Sequence, residues 1–402
     1  MKPGFLEFFA GIGLIHIGLR PSGWRCVYAN DISPKKREMY LHEIPEASDY
    51  YHCENIWKTD IIAEKINEPC LLATASFPCI DISLAGHMKG LGGKHSSTFF
   101  GFIKVMEQLK GERRMPTLLM LENVTGLLNS NHGSDFREVC LAAARLGYFL
   151  DAFIVDAKHF MPQSRPRLFI VGMTDDALSS TAYKSYQEEW WQRVQLDPDI
   201  RPQRLVNAMK ALRLPTGWVA VDLPPLPPVQ RNLASVIDLG DEQEWWDDDA
   251  VQKHLAMTSD LHKQRIEKMI ISNDLYIGTI FRRIRENKTR AETRFDGLAG
   301  CLRTATGGSA KQIVIVIDHG AVRMRWMSAV EYARLQGVPN YKISVPRNQA
   351  LTGFADAVCV PVIEWIAHYV LSPAASQLGY KMQYQETLMP AARQVDRLAR
   401  PS

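Results

Sequence analysis

The sequence predicts an α/β fold built on a mostly parallel sheet, and three observations carry that prediction. Apolar runs of strand length alternate with helical patterns, a glycine turn follows the first run, and chemistry-bearing residues sit where the runs end. Phe5 to Phe9 is the first strand, followed by Ala10-Gly11-Ile12-Gly13 and a helix through Leu19. Cys26-Val27-Tyr28-Ala29 is the second, ending at Asn30-Asp31. Leu71 to Ala75 is the third and runs into Phe77-Pro78-Cys79, and Thr117 to Leu121 is the fourth, ending at Glu122-Asn123-Val124. Strands at Phe153 to Asp156 and Leu168 to Val171 follow, with a helical pattern from Phe136 to Leu146 before them.

Composition bounds the function loosely. The 402 residues can bury one large core or two, and a net charge of +3 confines any polyanion site to a local patch. Seven cysteines without a C-x-x-C pair point to a reduced compartment. Lys2 and the apolar stretch from Phe5 to Leu19 imitate a signal peptide, but Glu7 and His16 interrupt it and no cleavage site follows. No uninterrupted apolar run approaches bilayer length.

Individual residues sharpen the picture. Pro78 cannot continue a strand ladder, so Cys79 is held out on a turn, as a nucleophile requires, although a lone cysteine is more often a core thiol. Glycines at positions 11 and 13 let a ligand approach the backbone closely. Asp31 follows at about the 20-residue spacing of a ribose acceptor; its alternative is a helix N-cap before Ser33-Pro34, and the glycine turn favours ribose. Phe9, Asp31, Cys79 and Glu122 would then share one sheet edge. Glu122 alone could be a helix N-terminal carboxylate, and Arg165 or Arg167 alone a surface ion pair.

Five segments carry a resemblance. Phe9-Ala10-Gly11-Ile12-Gly13, Phe77-Pro78-Cys79, Glu122-Asn123-Val124, Gln163-Ser164-Arg165-Pro166-Arg167 and Gly353-Phe354-Ala355-Asp356-Ala357-Val358 occur in the order found in S-adenosylmethionine-dependent DNA cytosine-5 methyltransferases. The chain resembles that family from about Phe5 to about Ala367. The resemblance implies a Rossmann-like methyltransferase: a large catalytic domain over 1–174, a small domain with the target recognition region over 175–347, and a return to the large domain with a C-terminal tail over 348–402.

It also implies roles. The cofactor is S-adenosyl-L-methionine, leaving as S-adenosyl-L-homocysteine, with no metal; His87 and His95 fall in a glycine-rich loop without a second ligand at suitable spacing. Phe9 stacks on the adenine, Gly11 and Gly13 approach the methionine part, and Asp31 binds ribose where the family usually has glutamate. Ala10, Ile32, Asn55, Ile56, Pro78, Asp356, Ala357 and Val358 complete the cofactor set, with Asp60 a rival to Asn55 at the adenine amino group. Cys79 adds to cytosine C6, Glu122 bonds N3, Arg165 bonds the cytosine carbonyl and nearby backbone, and Arg167 organises the pocket. Ile80 stands where glutamine is common, and Asp356 where asparagine is frequent.

The middle segment varies most. Trp190-Trp191 and Trp245-Trp246, a proline-rich stretch from Leu223 to Val229 and the acidic Asp247-Asp248-Asp249 precede a basic run from Arg282 to Arg294. Alone, such a run is more often a solvated helix or loop face. At this position in the family it implies phosphate contacts, so the DNA-binding set is Ser83, Lys89, Arg282, Arg283, Arg285, Lys288 and Arg303. The paired tryptophans are more often small-domain core than base stackers. Ala305 to Lys311 is a glycine-rich turn, and Ser328 to Leu335 a helix stopped at Gly337-Val338-Pro339.

The expected substrate is double-stranded DNA with the target cytosine flipped out of the helix. A cognate restriction endonuclease would act separately, and the enzyme would be a monomer in the bacterial cytoplasm, used at the nucleoid, with no membrane partner. The same chemistry on RNA and a non-catalytic DNA-binding relative are the alternatives. A nucleotide-dependent oxidoreductase accounts for Gly11, Gly13 and Asp31 but leaves Cys79 and Glu122 without a role.

Overall fold

Each of the first strands is buried along almost its whole length, which requires cover on both faces of their sheet. A computed structural model describes residues 2–78, 98–180, 198–285, 288–304 and 311–382. The chain divides into two compact units, one of Met1–Val155, Pro166–Pro227 and Val362–Ser402, the other of Asp156–Arg165 and Pro228–Pro361. Residues 175–227 thus fall in the first unit and 348–361 in the second.

The first unit carries β1 (Gly4–Phe8), β2 (Arg25–Asn30), β3 (Tyr51–His52), β4 (Leu72–Ala75), β5 (Leu118–Val124), β6 (Phe149–Asp156, up to Val155) and β7 (Pro166–Met173). Their order is β3-β2-β1-β4-β5-β7-β6. β1 runs parallel to β2 and β4, β2 to β3 and β4 to β5, whereas β7 is antiparallel to β5. Strand order reverses at β1, so a crevice opens beyond the carboxyl ends of β1 and β4, the place where open α/β sheets bind ligands. Helices Thr98–Gly111 and Ser134–Leu146 bury apolar faces in the core around Phe8, Phe99 and Phe102. The Phe8 and Phe102 rings meet edge to face at 5.0 Å. The arrangement is a Rossmann-like methyltransferase sheet.

The second unit holds β8 (Tyr276–Arg285), β9 (Lys288–Arg294), β10 (Ile313–Asp318) and β11 (Ala321–Trp326) in the antiparallel order β11-β10-β8-β9. Val251, Ile266, Ile280, Ile313, Ile315, Ile317 and Met324 form its core. The helix Ala329–Leu335 opens on a complete capping box between Ser328 and Glu331.

Several expectations change. β5 continues through Val124, so Glu122 lies within a strand rather than past its end or at a helix terminus. The basic run is a hairpin, β8 and β9, not a helix or loop face. By length and composition one stretch among the described residues, Arg347–Gln377, is apolar enough to cross a bilayer, although its helix breaks after Asp356. Its most apolar window is 78% buried inside the protein, the burial of a core helix.

Candidate active site

The first half of the crevice is made by the turn after β1. Phe9 adopts φ 56°, a left-handed conformation unusual for an aromatic residue, followed by Gly11 at φ 57° and Gly13 at φ 84°. A Cβ on Gly13 would stand 2.8 Å from the Tyr40 ring, so both the conformation and the space demand glycine. The Gly11 amide donates to Asp31 Oδ2 at 3.1 Å and the Ser33 amide to Oδ1 at 2.9 Å. Asp31 is therefore not the helix cap. Ser33 caps helix Pro34–Glu43, accepting from the Lys36 amide, while Asp31 reaches back to the glycine turn.

Beside Asp31, Ile32 leaves 68% of its surface exposed, an apolar face without cover. Asn55 is exposed and its Oδ1 accepts from the Trp57 amide at 3.1 Å, whereas Ile56 is buried. Asp60 is exposed in the first turn of helix Thr59–Lys65. A cavity of about 420 Å³ lined by Pro34, Arg37, Tyr51, His52, Cys53 and Lys65 opens on this side of the sheet.

The second half lies at the ends of β4, β5 and β7. Ser76 donates its hydroxyl to Glu122 Oε2, and Arg167 Nε stands 3.1 Å from Glu122 Oε1. Both side chains of the ion pair are nearly buried. The register Val124↔Arg167 and Glu122↔Phe169 makes Arg167 and Glu122 diagonal neighbours on one face of the β5–β7 pair. Asn123 donates to the Phe77 carbonyl at 3.1 Å, anchoring the chain two residues before Cys79. Pro78 is half-buried; Cys79, Ile80, Ser83 and Lys89 lie outside the described residues.

In the second unit Arg165 is fully buried and acts as a clamp. Its Nη1 donates to the Leu302 carbonyl at 3.2 Å, and its Nη2 to the carbonyls of Ala355, at 2.7 Å, and Ala357. Asp356, at the end of helix Arg347–Asp356, is exposed, Ala357 is half-buried and Val358 is buried. Gln163 is buried too, accepting from the Leu302 amide and donating to the Leu335 carbonyl at 3.0 Å.

The basic hairpin is already partly engaged. Arg282 stacks over Trp326 at 4.9 Å with His254 Nε2 at 3.5 Å, and burial holds the His254 pKa below its ordinary value. Arg283 pairs with Glu292. Lys288 and Arg303 are exposed, and nothing is described of the Arg285 side chain. Trp246 packs against the second core and meets Trp326 edge to face at 5.2 Å, the core role expected of it; Trp190 and Trp191 lie outside the described residues.

Sequence reasoning missed Ser76, Asn123 and Tyr51. Ser76 directly precedes Phe77-Pro78-Cys79 and Asn123 lies within Glu122-Asn123-Val124, so the role of each could have been sought there. Tyr51, which donates its hydroxyl to the Gly11 carbonyl at 3.1 Å, is 40 residues away and left no local signal.

The profile of the C-5 cytosine-specific DNA methylase family matches residues 4–372. The chain is 26% identical to the type II methyltransferase M.HpaII of Haemophilus parainfluenzae over 90% of this chain and 87% of that protein. It is 23% identical to M.HhaI of Haemophilus parahaemolyticus over 94% and 95%. The match to the orphan methyltransferase M.SPRI of Bacillus phage SPR, 28% identical, spans 46% of this chain and only 39% of that enzyme. Among solved structures, an Entamoeba histolytica methyltransferase superposes with a TM-score of 0.59 at 13% identity, covering 93% of this chain and 99% of that one. The Dnmt2 methyltransferase of S. pombe superposes with a TM-score of 0.53 at 16% identity, covering 94% and 100%; such likenesses speak to fold alone. With a family profile spanning most of its length, the chain belongs to the C-5 cytosine-specific DNA methylases.

Proposed function

We propose that this chain methylates C5 of a cytosine flipped from a specific duplex DNA sequence, with Cys79 as the nucleophile. The observation that carries the reading is the Ser76, Glu122 and Arg167 constellation beside the segment that ends at Pro78, one residue before Cys79 in sequence. S-adenosyl-L-methionine, when bound, supplies an electrophilic methyl group. The glycine turn and Asp31 fit it: backbone that lets a ligand approach, a carboxylate for ribose hydroxyls, and at Ile32 an exposed apolar face for a base. Phe9, Ala10, Asn55, Ile56 and Pro78 would complete that site; for Asp356, Ala357 and Val358 a cofactor role rests on the resemblance of the late motif alone.

Cytosine C5 is a poor nucleophile within an aromatic ring. Addition of the Cys79 thiolate at C6 forms an S–C6 bond and moves an electron pair into the ring, which makes C5 enamine-like. Glu122, steadied by Ser76 and Arg167, bonds N3, where that charge collects. We place Arg167, rather than Arg165, at the cytosine carbonyl, because Arg167 shares the Glu122 carboxylate while Arg165 serves backbone carbonyls. Once C5 has bonded the methyl carbon, whose bond to the sulfonium sulfur breaks to leave S-adenosyl-L-homocysteine, loss of the C5 proton to a base returns the electron pair and breaks the S–C6 bond, freeing Cys79. Phosphate contacts are assigned to Ser83, Lys89, Arg282, Arg283, Arg285, Lys288 and Arg303, of which Lys288 and Arg303 are exposed. The type II methyltransferase relatives support a role in DNA modification; a cognate endonuclease acting separately and a place in the bacterial cytoplasm are part of the proposal.

Expression in a host lacking C5 methylation, with bisulfite sequencing of DNA and RNA, tests the reading. One recurring DNA motif is expected. Methylation confined to RNA would change the substrate, and none in either from folded protein would end the enzymatic reading. DNA carrying 5-fluorocytosine should trap a covalent complex that Cys79→Ser abolishes; persistence in the variant would put the nucleophile elsewhere.

A further inference from the structure

Glu7 is a charged residue type at the centre of an apolar sheet. It lies on β1 between Ala29 of β2 and Thr74 of β4, with no exposed surface, and the chemistry proposed above does not use it. A carboxyl group there is tolerated only if its oxygens are bonded. Tyr40 donates its hydroxyl to Glu7 Oε2 at 2.8 Å, and the His16 amide donates to Oε1 at 3.3 Å. His16 Nδ1 lies 2.8 Å from the same Tyr40 oxygen.

Those bonds lead to the glycine turn by two routes. The Tyr40 ring abuts Gly13 so closely that a Cβ there would stand 2.8 Å from it. The same ring meets Tyr51 edge to face at 4.7 Å, and the Tyr51 hydroxyl donates to the Gly11 carbonyl at 3.1 Å. Gly11 in turn donates its amide to Asp31. One buried carboxyl therefore stands behind two aromatic rings that press on or bond both glycines.

We propose that Glu7 is a positioning residue: by fixing Tyr40, and Tyr51 through it, it sets the Gly11 and Gly13 backbone that receives the cofactor. The inference rests on the cofactor site proposed above. Glu7 touches neither cofactor nor substrate and acts through the rings. Burial raises its pKa to about 8, so the group is uncharged at neutral pH and an amide can replace it. Glu7, His16 and Cys26 also bring ligand atoms within 4.8 Å of one another, and a metal there would turn the carboxyl from a hydrogen-bonding hub into a ligand.

The test measures S-adenosylhomocysteine binding by calorimetry at pH 7, duplex DNA binding without cofactor, and hydrogen exchange at the Gly11 and Gly13 amides of the free protein. Tyr40→Phe and Tyr51→Phe keep their rings and lose the bonds of their hydroxyls, so cofactor affinity should fall roughly three- to ten-fold while DNA affinity holds. Exchange at both glycines should quicken. Glu7→Gln should bind as wild type and Glu7→Ala should not, which distinguishes a hydrogen-bonding role from a need for charge. Unchanged cofactor binding and exchange in both tyrosine variants would overturn the proposal, as would an equal loss of DNA affinity or stoichiometric zinc in the purified protein. If the wild type takes up no cofactor, the site reading fails first, and unchanged exchange in the variants would remove the positioning role as well.

Discussion

Arg167 Nε stands 3.1 Å from Glu122 Oε1, joining β7 to β5 across a diagonal of their antiparallel pair. Both side chains are nearly withdrawn from water, so the pair is unlike an exposed ion bridge and holds the carboxylate in a defined direction. Arg167→Ala should lower kcat by about 100-fold or more, and Arg167→Lys should recover only part, since lysine lacks the planar fork. Steady-state rates on duplex DNA check this; a silent Arg167→Ala would remove Arg167 from the pocket.

Glu122→Gln keeps the shape of the side chain but cannot pass a proton to or from N3 in the same way. Activity should drop about 10²- to 10⁴-fold with the fold intact by circular dichroism. Ser76→Ala removes one of the bonds steadying Glu122 and should cost less, on the order of ten-fold. A Ser76→Ala loss as deep as that of Glu122→Gln would mean that the serine itself meets the substrate.

Arg165 and Arg167 are separated by one residue and do different work. Arg165 is fully buried and donates to three backbone carbonyls, those of Leu302, Ala355 and Ala357. Arg165→Ala strands those acceptors and should destabilise the protein by about 3 kcal/mol or more in urea unfolding, whereas Arg167→Ala should cost less stability than activity. If Arg165→Lys unfolds like wild type yet is inactive, the clamp reading is wrong and the arginine serves the substrate.

Asp151 and Arg201 make a second buried clamp, within the first unit. Asp151 Oδ1 accepts from the Ala152 amide at 2.7 Å and Arg201 Nε at 3.2 Å, and its Oδ2 accepts from the Val221 amide at 2.8 Å and from Arg201 Nη2. β6 is thereby tied to the segment that follows β7. Arg201→Met should cost about 3–5 kcal/mol by leaving a buried carboxylate unpaired, and adding Asp151→Asn should restore part of it. Unfolding of the single and double variants in a cycle measures the coupling; additive losses would show that the pair contributes nothing jointly.

The sheet was legible because buried parallel strands read as continuous apolar runs, and the turn after β1 because only glycine fits beside Tyr40. Two kinds of feature were not legible. Charge concealed pattern in the hairpin, where Tyr276, Ile277, Thr279, Ile280 and Phe281 mark β8 but the arginines after them suggested a solvated face. Glu122 looked like a strand end for the same reason, although its strand continues to Val124. Pairings distant in sequence were the other kind. Glu7 is visible as an interruption in an apolar run, but its partners are 9 and 33 residues away, and nothing local marks His16 or Tyr40 as its own.

The buried network on β1 should write itself into the pH dependence of stability. Glu7 faces His16 and Tyr40, with Cys26, Tyr50, Tyr51 and Asp31 as the other titratable groups around it. Burial raises Glu7 from 4.5 to about 8 and lowers His16 from 6.5 to about 4, so both are neutral in the folded protein at pH 7. For the acid, the unfolded chain loses its proton first, so stability falls as pH rises from about 4.5 to about 8. For the base, the unfolded chain gains its proton first, so stability falls as pH drops from 6.5 to about 4. Between 4.5 and 6.5 the two slopes oppose each other and nearly cancel. Of these two groups only Glu7 acts above 6.5, and its contribution should decline by up to about 1.4 kcal/mol per pH unit until Glu7 ionises in the folded state. Glu7→Gln removes that decline and exposes the His16 slope below 6.5, so the variant gains on wild type steadily from pH 5 to pH 8. Urea unfolding at fixed pH values across this range measures the difference, and parallel curves for the two proteins would show that Glu7 is already ionised in the fold.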